Sequence, residues 1–125
     1  MNPVSELPSL DRIETAAQTV HAVLQATPQI NWPLLSERCG CEVWTKHENH
    51  NPTGAFKVRG ACNAVFGLSD EDAAKGVCTH SSGNHALSLS YAAGRRGIPC
   101  NVVMPRTAPQ AKKDAVRGYG GIITE

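Results

Sequence analysis

The sequence predicts an α/β fold, a parallel sheet with flanking helices. Three observations carry that prediction. From residue 54 onward, helix-like and strand-like segments alternate, which is the pattern of strands joined by helical crossovers. Turn residues stand at the junctions, among them Gly76, Pro105 and the run Gly118-Tyr119-Gly120-Gly121. The 125 residues are 41% hydrophobic and 18% charged, the balance of one globular domain with a real core.

The elements follow in order. Ser9 or Asp11 can cap a first helix that runs to about Leu24, with Ile13, Ala16, Ala17, Val20 and Leu24 recurring at three- and four-residue spacing. Thr27-Pro28 ends it. Residues 29–32 read as extended, and Pro33-Leu34-Leu35 leads into a polar turn near Gly40. Glu42-Val43-Trp44-Thr45-Lys46 alternates like a strand. Residues 54 to about 68 read as a helix, 76–80 as a short strand and 84–96 as a helix. Cys100-Asn101-Val102-Val103-Met104 is a buried-type strand stopped by Pro105. Residues 109–117 form a further helix and 121–124 a last strand. Glu125 follows that strand with no closing helix, although parallel sheets are covered on both faces. The expectation is an N-terminal fragment or truncated product.

Composition excludes several classes. The net charge is +1 with no basic block, so nucleic acid is not an expected partner. Five cysteines without a paired framework argue against a disulfide scaffold, and Cys39 and Cys41 lack the matching pair of a zinc site. No metal site is expected. The N-terminus has neither the charged nor the apolar region of a secretion signal, and no apolar run approaches the ~20 residues of a membrane span. A soluble, cytoplasmic protein is expected.

Two runs carry chemistry. Asn51-Pro52-Thr53-Gly54-Ala55-Phe56-Lys57-Val58-Arg59-Gly60-Ala61 sets an amine in the first turn of a helix. A free lysine titrates near ~10.4, so an imine-forming lysine must be pushed toward neutrality by burial or by a helix N-terminus. Read alone, Lys57 is an ordinary solvated helix residue. The second run, Ser81-Ser82-Gly83-Asn84-His85, brings backbone N–H groups, hydroxyls and an amide to another helix start, where anions bind well. Read alone, it is as readily a capped helix as a ligand site. Read together, one run can hold an aldehyde cofactor covalently and the other a carboxylate beside it, which suggests amino-acid chemistry on pyridoxal 5′-phosphate. Arg59 has no single reading; one open to it is to pair with a carboxylate such as Glu48 and brace the Lys57 segment. Trp32, Trp44 and Tyr91 read as packing residues, and Arg95-Arg96 and Lys112-Lys113 as solvated helix faces.

These runs resemble the fold-type II pyridoxal-phosphate enzymes (the tryptophan synthase β-like fold), specifically the serine/threonine dehydratase and serine racemase group. The likeness extends to Lys46-His47-Glu48-Asn49, Thr79-His80, Val102-Val103-Met104-Pro105, Ala108-Pro109-Gln110-Ala111-Lys112-Lys113 and Gly118-Tyr119-Gly120-Gly121. Ala55 stands where the group more often has Ser, and Ala86-Leu87 replaces its usual Gly-Gln or Ala-Gln. The resemblance implies an enzyme, an ammonia-lyase converting serine, threonine or a similar β-hydroxy amino acid to a 2-oxo acid and ammonia. It implies pyridoxal 5′-phosphate held as an aldimine at Lys57, with Lys57 moving a proton on one face of the cofactor. Phe56 would pack against its ring and Asn84 would bond its phenolic oxygen. Ser81, Ser82, Gly83, Asn84 and His85 would cradle the substrate carboxylate. Ser82 matches the serine that works on the opposite face in the racemase.

The resemblance covers only the N-terminal part of that fold, with residues from about 54 to 125 forming its small α/β subdomain. The glycine-rich phosphate loop, the group opposing the pyridine nitrogen and the divalent-cation site of some members lie beyond the matched region. Little activity is therefore expected of these 125 residues alone, and a homodimer is expected of the full enzyme. The alternatives are a serine racemase, a hydroxyaspartate dehydratase, a β-replacement enzyme such as cysteine synthase, or a non-catalytic module derived from such an enzyme.

Overall fold

A computed structural model describes residues 7–125. The first helix, α1 (Leu10–His21), begins where Ser9 Oγ accepts the Arg12 N–H at 3.4 Å. Val20 and, beyond the helix end, Leu24 turn into the core. A two-stranded antiparallel ribbon follows. In it β1 (Gln29–Asn31) pairs with β2 (Trp44–Lys46), Ile30 opposite Thr45.

Between these strands lies α2 (Pro33–Cys39), where the sequence suggested only a turn. Its signals are Pro33 in the first turn, where a missing N–H costs nothing, and Gly40 just past the end at φ 66°. A second helix not foreseen, α4 (Asp70–Ala74), starts at Ser69, whose Oγ accepts the Asp72 N–H at 3.1 Å. It follows α3 (Lys57–Phe66), which begins three residues later than its pattern suggested because Gly54 holds a left-handed turn at φ 68°.

The remaining elements match the alternation read from the sequence. Strand β3 (Val77–His80) leads to α5 (Asn84–Arg96), β4 (Cys100–Val103), α6 (Gln110–Gly118) and β5 (Ile122–Thr124). The strands form one parallel sheet in the order β3-β4-β5, Thr79 opposite Val102 and Val102 opposite Ile123. Burial alternates along β4: Cys100 and Val102 are buried, Asn101 and Val103 exposed. One sheet face is therefore packed, and the face bearing Cys78, Asn101 and Ile122 is exposed.

Helix α5 is the axis of the core. Residues 86–90, Ala92 and Ala93 are all buried, so it is covered nearly all round, as a central helix must be. It packs on α3, on the sheet and on α6. Two serines are fully buried on it. Ser88 lies 3.4 Å from the Thr53 hydroxyl, and Ser90 lies 3.7 Å from Cys100 Sγ. Among the described residues no helix is long and apolar enough to cross a membrane.

Candidate active site

Lys57 is the first residue of α3, and the loop before it is tied down at several points. Gly54 N–H donates to the Asn51 carbonyl at 2.8 Å, closing a turn. The buried Asn51 amide donates to Glu48 Oε2 at 2.9 Å and to the Ala55 carbonyl at 3.5 Å. Thr53, also buried, meets Ser88 of α5. Val58 is fully buried, which anchors the helix start while its neighbour Lys57 faces outward. That brace is present. Arg59 Nε and Nη2 grip Glu48 at 2.7 and 2.9 Å in a fork. Thr27, which sequence reasoning passed over, completes the ring by donating to Glu48 Oε1 at 2.6 Å. The Arg59 guanidinium, against the cost of partial burial, holds the Glu48 carboxyl down from an ordinary 4.5 to about 2.

The Lys57 amine makes no hydrogen bond or ion pair among the described residues. It lies 5.5 Å from the centre of the Phe56 ring. Both side chains are exposed, Phe56 at 61%. They present a free amine beside an uncovered aromatic face.

The second run extends β3. Ser81 N–H donates to the Val103 carbonyl at 3.0 Å, and Ser81 Oγ then accepts the Gly83 N–H at 3.2 Å. No side chain caps α5, so the N–H groups of its first turn, those of Asn84, His85 and Ala86, have no partner among the described residues. A Cβ placed on Gly83 would meet nothing within 4 Å, so the space in front of this turn is open. Ser82 is exposed there, and the Asn84 amide oxygen accepts the Lys112 ammonium at 2.8 Å. His80, Ser81 and Ser82 line a cavity of about 600 Å³ with Met104 and Pro105, at the carboxyl ends of the parallel strands. That is where open α/β sheets bind ligands. His85 lines a different, smaller cavity with Cys78 and Leu89, and neither cavity includes Lys57 or Phe56.

Four expectations need correction. Lys113 is not solvated: it is 5% exposed and donates to Glu125 Oε1 at 2.6 Å and to the Arg106 carbonyl at 2.9 Å. Its hydrogen bond holds the Glu125 carboxyl below the usual carboxylate range. The available signal was spacing, since Lys113 and Val116 share the buried stripe of α6. Lys112, its neighbour, stays at the surface and there reaches Asn84. Arg96 is likewise engaged, donating to the carbonyls of Val65 and Leu68 and to Asp70. Trp32 and Trp44 do not pack in the core. Both are exposed, and Trp32 Nε1 donates to His47 Nε2 at 3.0 Å. Tyr91 does pack, edge-on against Tyr119.

The residues fit a pyridoxal group by their donor chemistry: an unengaged primary amine, unpaired helix-start N–H groups and an open glycine turn. Comparison with known proteins agrees. Residues 21–125 match the family described as pyridoxal-phosphate dependent enzyme. The β-hydroxyaspartate dehydratase of Paracoccus denitrificans (strain Pd 1222) is 59% identical over 95% of this chain and 38% of its own length. The serine racemase of Dictyostelium discoideum is 42% identical over all of this chain and 38% of its own. Among solved structures, maize serine racemase superposes with a TM-score of 0.90 at 40% identity, over 95% of this chain and 36% of that one. Threonine deaminase isoform 2 from Solanum lycopersicum does so with a TM-score of 0.79 at 35% identity, over 94% and 36%. The chain thus spans somewhat over a third of the length of these relatives.

Proposed function

From the premise that this chain belongs to the pyridoxal-phosphate dependent enzyme family, we propose that it supplies the amine and carboxylate-binding side of a β-hydroxy amino acid dehydratase. The reaction is β-elimination, giving a 2-oxo acid and ammonia. The observation that carries this reading is Lys57 itself, an amine that lies over the Phe56 ring and makes no hydrogen bond or ion pair among the described residues, at the start of a helix whose loop is braced by Glu48, Asn51 and Arg59.

Lys57 Nζ would hold pyridoxal 5′-phosphate until the substrate amine displaces it, and the group would then supply an electron sink that makes the substrate α-proton removable. The chain's own residues do the rest. Lys57 Nζ takes the α-proton on its side of the site. The unpaired N–H groups at the start of α5, with the Ser81 and Ser82 hydroxyls, hold the substrate carboxylate. The amide nitrogen of Asn84, whose oxygen accepts from Lys112, would donate to the cofactor's phenolic oxygen. Phe56 would pack against the ring. His85 sits one residue further into α5, where its backbone N–H serves the carboxylate while its ring lines the neighbouring cavity.

Hydroxyaspartate is the substrate to try first, because the 59% identical relative is a β-hydroxyaspartate dehydratase. Racemisation is the second reading, favoured by the exposed Ser82 hydroxyl, which can return a proton from the other side. A cytoplasmic setting suits five unpaired cysteines. A homodimer belongs to the same proposal.

The test is chemical trapping. The chain is mixed with pyridoxal 5′-phosphate, reduced with borohydride and mapped by mass spectrometry. The expected result is one pyridoxyl adduct, at Lys57, abolished in Lys57→Ala. Lys75, a well-exposed amine with only surface ion pairs, is the internal control. Equal labelling of Lys57 and Lys75 would overturn the proposal.

A further inference from the structure

We propose that Lys112 is a positioning residue for Asn84, fixing which end of the Asn84 carboxamide faces the site. The inference rests on the cofactor reading above for its purpose but on the chain's own geometry for its content.

An asparagine side chain ends in two chemically opposite groups on a broad, roughly two-fold torsion. Left alone, Asn84 presents its oxygen or its nitrogen to the turn in front of α5 with little preference. Lys112 removes that freedom. Its ammonium sits 2.8 Å from Asn84 Oδ1. An ammonium has donors and no acceptor, so it can engage the oxygen and never the nitrogen. A flipped amide would set donor against donor and forfeit a charge-assisted bond. With Oδ1 taken, Nδ2 is left to donate, and it has no partner among the described residues. It joins the unpaired N–H groups of the α5 first turn, so the whole edge offers donors to an oxygen with negative charge.

The lock is itself held in place. Lys112 N–H donates to the Pro109 carbonyl at 2.9 Å, which sets the first turn of α6. The next residue, Lys113, is buried and fastened to Glu125 and to the Arg106 carbonyl. Adjacent lysines therefore do different work. Lys113 fixes the rotation of α6, and that rotation delivers Lys112 to Asn84.

The experiment has two arms. In the first, NMR relaxation of the Asn84 side-chain amide is measured in the chain without cofactor, in wild type, Lys112→Met and Lys112→Arg. The expected result is a restrained amide in wild type, a mobile one in Lys112→Met, and restoration by Arg, which also only donates. An Asn84 amide equally ordered in wild type and Lys112→Met would overturn the proposal, whatever the cofactor does. In the second arm, borohydride trapping at limiting pyridoxal 5′-phosphate is compared across variants. Lys112→Met is expected to lower the Lys57 adduct about tenfold, the size of one charge-assisted hydrogen bond, and to add no loss in an Asn84→Ala background. A full further loss in that background means that Lys112 acts elsewhere, and it too would overturn the proposal. Failure of wild type to give a Lys57-specific adduct would count against the function proposed above and leave the relaxation arm to decide Lys112.

Discussion

Replacing Glu48 with Gln should destabilise the chain in a way that depends on pH. Glu48 accepts four hydrogen bonds from three side chains, Thr27, Asn51 and Arg59, and so joins the end of the α1 region, the lysine loop and α3. Its carboxyl is held down from 4.5 to about 2, chiefly by Arg59. A depression of that size is worth at most about 3.5 kcal/mol at ~1.4 kcal/mol per pH unit. Water reaches both partners, whose side chains are 23% and 21% exposed, and screening brings the expected contribution to about 2 kcal/mol. The folded-state value lies below the unfolded one, so the stabilisation is complete above about pH 4.5 and fades as pH falls toward about 2. Urea unfolding followed by circular dichroism measures it. At ~pH 6, Glu48→Gln should be about 2 kcal/mol less stable than wild type; by ~pH 3 more than half of that gap should be gone. Asp72 and Glu125, also held low by lysine partners, are present in both proteins and cancel in the difference. A gap that stays constant across this range, or one below about 0.5 kcal/mol at ~pH 6, would refute the account of the brace.

Two further outcomes are expected. Gly121→Ala should cost about 1–3 kcal/mol, seen as a lowered thermal midpoint, because its Cβ would lie 2.5 Å from Ser90 Oγ and 2.8 Å from Val116 Cγ1, both in the core. In thiol titration of the folded chain, Cys39, Cys41 and Cys78 should react promptly; Cys62 and Cys100, buried and with thiols pushed up by that burial, should react only on unfolding.

The parallel sheet and its helices were legible because periodicity is strongest in long, regular segments. Asn84–Arg96 was read with both its ends correct. The short helices α2 and α4 escaped because seven and five residues give too little periodicity to weigh against a turn. Their caps, Pro33 with Gly40 and Ser69 with Asp72, were the only local evidence. The Glu48–Arg59 pair was legible because opposite charges flank a motif that needs bracing. Arg96 and Lys113 are the converse case. Charge alone suggests solvent, but a long side chain can bury its stem and spend its charged end on a carbonyl or carboxylate. Which lysine of a pair does so depends on the rotation of the helix, and that is set by contacts distant in sequence.

Those distant contacts converge on α5. Thr53 ties the lysine loop to Ser88, Lys112 ties α6 to Asn84, and Tyr119, hydrogen-bonded to the Pro52 carbonyl at 2.8 Å, packs on Tyr91. The lysine loop and α6 are therefore both positioned against one buried helix, and the Tyr119–Pro52 bond ties them to each other as well. Small residues make this possible. Ala86, Ala92 and Ala93 are fully buried on this helix, which packs on both α3 and the sheet, while Ser88 and Ser90 supply buried polar anchors. A bulkier residue at Ala92, which has no exposed surface, would overpack the core at a cost of about 1–3 kcal/mol and disturb the helix against which the lysine loop is placed. The placement of the amine is thus encoded as much in the alanines of α5 as in the motif around Lys57.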